Sequence, residues 1–168
     1  IFGKPFSIEY ASVTDQFLSR SNQKPPICAY ELNYPENKDI IINKLKENKL
    51  DNSKENKVKV IFYPVYLSPD DMLLGMNVSD AVMATTMGIF PSRYEPWGYT
   101  VMEAAAMMAM SVTTNASGVG RFILKNTDQT KKPGIIVVDV ENKEPKEVVS
   151  QIANVMEEVF FMDENSLL

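Results

Sequence analysis

Residues 87–114 constrain the fold of this chain more than any other stretch. An apolar run from Met87 to Phe90 enters a loop that tightens at Gly98, a helical pattern covers 99–110, and 111–114 (Ser-Val-Thr-Thr) reads as a second strand. A strand, a helix and a strand in that order require a crossover connection, and crossovers join parallel strands. Further along, 135–138 (Ile-Ile-Val-Val) reads as another strand. A last helix runs from Pro145 to about Met162, with Val148, Ile152, Val155, Met156 and Val159 on one stripe.

The first third continues the rhythm more weakly. Residues 27–32 (Ile-Cys-Ala-Tyr-Glu-Leu) and 58–63 read as strands, and 77–85 as a helix. Asp39 is placed to cap a helix over 40–48, with Ile41, Leu45 and Ile42 on its apolar side. The Lys-, Asn- and Glu-rich residues 46–57 form a solvated connection. Strands alternating with helices give an α/β fold with a parallel sheet. At 168 residues and 45% hydrophobic, the chain suffices for one domain with a real core.

Composition removes whole classes of function. Histidine is absent, which excludes a Ser-His-Asp triad, a Cys-His pair and any histidine-based metal site within these residues. A net charge of −5 argues against nucleic acid or an anionic membrane as partner. No apolar stretch is long enough to span a bilayer, and no signal peptide leads the chain. The single cysteine, Cys28, fits a cytoplasmic address and reads as a small buried apolar residue, and the methionines read as core fillers. Asp70-Asp71 follows Ser68-Pro69 and reads as a turn rather than a metal site. Two glycosylation-like triplets, Asn77-Val78-Ser79 and Asn115-Ala116-Ser117, read as coincidence.

The chemistry concentrates in Pro91-Ser-Arg-Tyr-Glu-Pro-Trp-Gly-Tyr-Thr-Val-Met-Glu103. The first amides of a helix lack internal partners and carry partial positive charge, which suits a phosphate. Gly98 lets the backbone approach an anion without an intervening Cβ. Glu95 precedes the turn and can accept hydrogen bonds from hydroxyls, while Glu103, about one turn into the helix, could hold a second polyol. Two hydroxyl binders flanking a phosphate site describe a sugar nucleotide. Spacing alone carries no information, since Glu47 and Glu55 share it in a lysine-rich surface stretch.

The run from Phe90 to Thr100, with Glu103 after it, resembles the donor segment of animal and fungal glycogen synthases. Thr113 to Gly120 resembles the loop that follows in that family, Val58 to Leu67 its strand-and-loop entrance, and Gly134 to Asp139 its last sheet strand. The resemblance runs from about Phe2 to about Phe160. It implies a Rossmann-like parallel sheet with helices on both faces, one half of the two-domain arrangement called GT-B. Residues 1–168 then form a partial C-terminal nucleotide-sugar-binding domain, inactive without the first domain.

The implied activity is retaining transfer of glucose from UDP-glucose to the non-reducing end of an α-1,4-glucan. Glu95 would be the catalytic carboxylate; Trp97, Gly98, Tyr99 and Thr100 would line the sugar and diphosphate, and Glu103 would hold the ribose. The resemblance implies no cofactor or metal, a glycogen acceptor and a homo-oligomer, a tetramer by likeness. Two other readings remain open, a non-catalytic scaffold or subunit and a retaining glucosyltransferase with another donor. The chain departs from the family pattern in several places. Val78 stands where an aromatic would stack on uracil, and Tyr63 and Thr86 stand where histidines occur. Met108 and Met110 replace a helix-ending Gly and Pro. Asp163 and Glu164 lie where the family carries basic residues that sense a sugar phosphate.

Overall fold

The computed structural model describes residues 26–162 apart from 31, 34, 72, 73, 132 and 133. The chain divides into two compact units, Ile1–Asn77 and Val78–Leu168. Each has its own apolar cluster.

The first unit contains helix α1, Ile40–Glu47. Asp39 caps it as expected, its carboxylate accepting the Ile42 amide at 2.9 Å. Ile42 is buried against Ile27, Cys28 and Tyr30, with Leu45 packed beside them. Ile41, expected on the apolar side, is 50% exposed. It lies one residue, about 100°, around the helix from Ile42, outside the single stripe that reaches the core. No regular strand occupies 27–32 or 58–63 among the described residues. One backbone bond, Phe62 N–H to Ile27 O at 2.7 Å, links them. The buried Asn52 side chain takes both backbone groups of Val60, at 2.7 and 2.8 Å, where a neighbouring strand would otherwise pair.

The second unit carries helix α2, Val78–Met83, and a parallel three-stranded sheet. Its strands are β1, Met87–Ile89, β2, Met110–Thr114, and β3, Ile135–Val138, in the order β1-β2-β3. Gly88 pairs with Ser111, and Val112 with Ile136. Helix α3, Tyr99–Ala106, crosses from β1 to β2, and α4, Gly118–Asn126, from β2 to β3. Helix α5, Pro145–Phe160, follows β3. The central strand is the most deeply covered, with Ser111 to Thr114 all buried. Val101, Ala104, Val112, Val119, Val138 and Val159 form the apolar interior, and each buried valine contributes about 1.5–3 kcal/mol.

The second unit also departs from expectation. The helix expected over 99–110 stops at Ala106. Met108 adopts φ 68°, and its amide and that of Ala109 bond back to Ala105 O and Ala104 O, each at 3.1 Å. That is a Schellman stop, made without glycine. Helix α4 has no counterpart in the sequence reading, because Gly118 and Gly120 each lower helix propensity by about 1 kcal/mol. On α5, Val159 is buried as expected, but Met156 is 50% exposed at the edge of the stripe. Among the described residues no helix is long and apolar enough to cross a membrane.

Candidate functional site

The loop leaving β1 is gripped through its backbone by the loop leaving β2. Glu95 and Ser117 form an isolated parallel bridge. The Glu95 amide donates to Ala116 O at 3.3 Å, and Glu95 O accepts the Gly118 amide at 3.0 Å. Two residues on, Trp97 O accepts the Val119 amide at 2.7 Å. The approach is so close that a Cβ on Gly118 would run into Pro96 O and the Trp97 Cα. Only glycine fits there.

The two helix starts at this end of the sheet differ in what their amides do. In α4 the leading amides are occupied. Gly118 and Val119 hold the β1 loop, Gly120 donates to the capping Ser117 Oγ at 2.9 Å, and Arg121 N donates to Ser117 O at 3.1 Å. Helix α3 has Gly98 at its cap position, with φ 112° and ψ 56° and no side-chain cap. Among the described residues no protein oxygen receives the amides of Gly98, Tyr99, Thr100 or Val101. Val119 Cγ1 would lie 2.8 Å from a Cβ on Gly98, so glycine is required both by space and by the left-handed backbone. This leaves a cluster of unpaired amides at a helix start, an arrangement suited to an anion.

The expected site residues fall around that start. Glu95 is half-buried, and among the described residues no hydrogen bond or ion pair takes its carboxylate. Trp97 is half-buried against Phe122 of α4, with ring centroids 5.9 Å apart at 56°, and its Nε1–H points to the Met102 sulfur at 3.1 Å. Two contacts on an aromatic with two side-chain torsions hold the indole in place. Thr100 and Glu103 are exposed, and Tyr99 is 72% exposed, so their side chains are available to a ligand.

The strand ends are also tied to one another. Asn115 donates from Nδ2 to Asp139 and accepts the Val140 amide on Oδ1 at 2.9 Å, while its own amide reaches Val138 O at 3.1 Å. Thr114 Oγ1 donates to Ser92 O at 2.6 Å. Ser117 Oγ donates to Thr114 O at 2.8 Å and lies 3.1 Å from Thr113 Oγ1. The sequence reading assigns none of these four residues a role. A serine directly before Gly-Val-Gly is a helix-cap signal that locates Ser117, but nothing local reveals what Asn115 bridges.

The departures also have positions. Val78 opens α2 and is 55% exposed. Thr86 is exposed, and its carbonyl accepts the Met110 amide at 3.1 Å, a bond that proline could not make. Tyr63 packs edge-on against Tyr30 with centroids 5.1 Å apart, and its hydroxyl donates to Asp71. Asp71 also accepts the amides of Leu74 and Gly75 at 3.1 and 3.0 Å, which makes it the turn residue expected. Asp163 and Glu164 lie outside the described residues.

Comparison with known proteins gives the family. The family model described as Glycogen synthase matches residues 12–165. Glycogen [starch] synthase isoform 2 of Saccharomyces cerevisiae is 41% identical over 138 residues, covering 81% of this chain and 19% of that protein. Glycogen [starch] synthase of Caenorhabditis elegans is 39% identical over 132 residues, 79% of this chain and 19% of its own length. The liver glycogen [starch] synthase of Homo sapiens is 34% identical over 136 residues, 81% of this chain and again 19% of the relative. The chain therefore spans 19% of the length of these curated relatives. The match over nearly all its residues, with relatives up to 41% identical, places this chain in the glycogen synthase family.

Proposed function

We propose that this chain is the donor-binding part of a retaining glucosyltransferase that moves glucose from UDP-glucose to the non-reducing end of an α-1,4-glucan. The observation that carries the proposal is the set of open amides at the α3 start beside a Glu95 fixed by its backbone. The amides of Gly98 to Val101 would receive the diphosphate, Glu95 the glucose hydroxyls, and Glu103 the ribose. Trp97 would form one wall of the sugar site. In the reaction the bond from the anomeric carbon to the diphosphate oxygen breaks, and a bond to the acceptor 4-hydroxyl oxygen forms on the same face. The hydroxyl proton passes to the departing diphosphate. Glu95 then supports positive charge developing at the anomeric carbon, and the amides stabilise the negative charge that accumulates on the leaving group.

Family membership supports the broad chemistry of the proposal, a nucleotide-sugar donor and a glucan acceptor. UDP as the nucleotide, a homo-oligomeric assembly and a cytoplasmic address are the finer parts of the proposal. The test is incorporation of labelled glucose from UDP-glucose into glycogen by the intact protein. Glu95→Gln is expected to lower turnover by about a hundredfold or more, the scale of losing one preorganised polar contact. Unchanged turnover in that variant would refute the role of Glu95.

A further inference from the structure

We infer that the 115–120 loop is a positioning bracket for Glu95, with the buried Ser117 hydroxyl as its fixed point, an inference that rests on the donor-site reading above. Among the described residues no side chain takes the Glu95 carboxylate, so its place is set by its own backbone. Both backbone groups of Glu95 are held by one loop, through Ala116 O and the Gly118 amide, and the Trp97 carbonyl is held by Val119. That loop hangs from the buried end of β2. Ser117 Oγ joins Thr114 O to the Gly120 amide at 2.8 and 2.9 Å, and Thr114 Oγ1 reaches the Ala116 amide at 3.3 Å and Ser92 O at 2.6 Å. Ser117 is 0% exposed, so its hydroxyl meets only protein and acts on the site through the bonds it anchors.

The structure thus makes a short chain of bonds from the most buried strand to the backbone that carries the Glu95 side chain. A site of this kind has to be held within about 0.5 Å of its working geometry, and a shift of about 1 Å can cost roughly a hundredfold in rate. Removing the Ser117 hydroxyl takes away the cap of α4 and frays its first turn. The residues that fray are those holding Glu95 and Trp97.

The test is Ser117→Ala in the intact protein, assayed for glucose transfer and followed by site-resolved hydrogen exchange. Turnover is expected to fall by about ten- to a hundredfold with KM for UDP-glucose changed by less than about threefold, because the bracket serves the reacting geometry and not the phosphate grip. The amides of Glu95, Gly118 and Val119 should exchange faster. Ser117→Thr restores a capping hydroxyl and is expected to recover turnover to within about threefold of the parent. A variant whose three amides exchange faster while turnover stays within about twofold of the parent overturns the bracket. If Ser117→Ala yields no folded protein, Arg121→Ala carries the test. Arg121 is exposed, and its guanidinium donates to Asn115 O at 3.1 Å, so its loss loosens the same loop without opening the core. Its turnover is expected to fall by about threefold at constant KM, and unchanged turnover counts against the bracket. The two levels of inference separate cleanly. Full activity in Glu95→Gln removes the donor-site reading, whereas an inactive Glu95→Gln beside a fully active Ser117→Ala removes only the bracket.

Discussion

Met108→Gly should stabilise the protein, and its size can be worked from the end of α3. Met108 sits at φ 68° in the left-handed region, where a side chain with a Cβ costs about 1–2 kcal/mol. Its side chain is 76% exposed, so truncation surrenders little apolar burial. The two bonds that end the helix are made by the Met108 and Ala109 amides and survive the change. Against the relieved strain stands the greater freedom of glycine in the unfolded chain, about 0.5–1 kcal/mol. The difference is a net gain of about 0.5–1 kcal/mol, or a two- to fivefold change in a local opening constant. Site-resolved hydrogen exchange in the intact protein should therefore show the Met108 and Ala109 positions opening about two to five times less often, after correction for intrinsic rates. Exchange that is unchanged or faster would show that the left-handed turn is not strained, or that the methionine makes a contact worth more than its exposure indicates.

Three further outcomes are expected from the same structure. Glu103→Gln should weaken UDP-glucose binding about tenfold or less while leaving turnover of bound donor nearly intact, measured by calorimetric titration and saturation kinetics; a pure turnover defect would contradict a ribose role. Asn115→Asp sets one carboxylate against that of Asp139 and removes the Nδ2–H bond between them. It should cost about 1–3 kcal/mol at neutral pH in urea unfolding. Repulsion between carboxylates at this exposed contact is screened by salt, so the deficit should shrink at about 1 M salt; a deficit independent of salt would refute the electrostatic account. Cys28 is buried against Ile27 and Ile42, and burial pushes its thiol up. Iodoacetamide should label it slowly in the native protein and readily in urea, and rapid native labelling at pH 8 would contradict its packing.

What the sequence made legible was periodic or local. The three strands of the sheet stand within one residue of their expected bounds because all are short and β2 and β3 are rich in Val, Ile and Thr. Asp39 and Pro145 announced two helix starts for the same kind of local reason. The failures were non-local. Asn52 gives Val60 the partners a strand would have supplied, and a side chain reaching eight residues along the chain leaves no periodic trace. Helix α4 hid behind two glycines, of which Gly118 is there because the Pro96–Trp97 backbone lies against it. The site divides in the same way. Glu95, Trp97 and Gly98 could be found from a motif, whereas Asn115 and Asp139 meet only because β2 and β3 are neighbours.

The two neighbouring helix starts also explain why the motif reads so poorly as a stability element. Helix α4 follows the rules for a durable start, with a serine cap, its amides paired and little left for water. Helix α3 departs from nearly every one of them. It has a left-handed glycine at the cap position, no capping side chain, no acidic residue in its first turn, and amides facing no protein oxygen among the described residues. A sequence selected for stability alone would place Ser or Asp at that cap, for about 1 kcal/mol. Such a side chain would occupy the amides an anion needs, and an acid there would repel a diphosphate. Local rules tend to be broken where a site needs the group that the rule would use up. Here the break is confined to one turn, and the loop beside it is held by the orderly start of α4, so the unpaired amides remain in a fixed place.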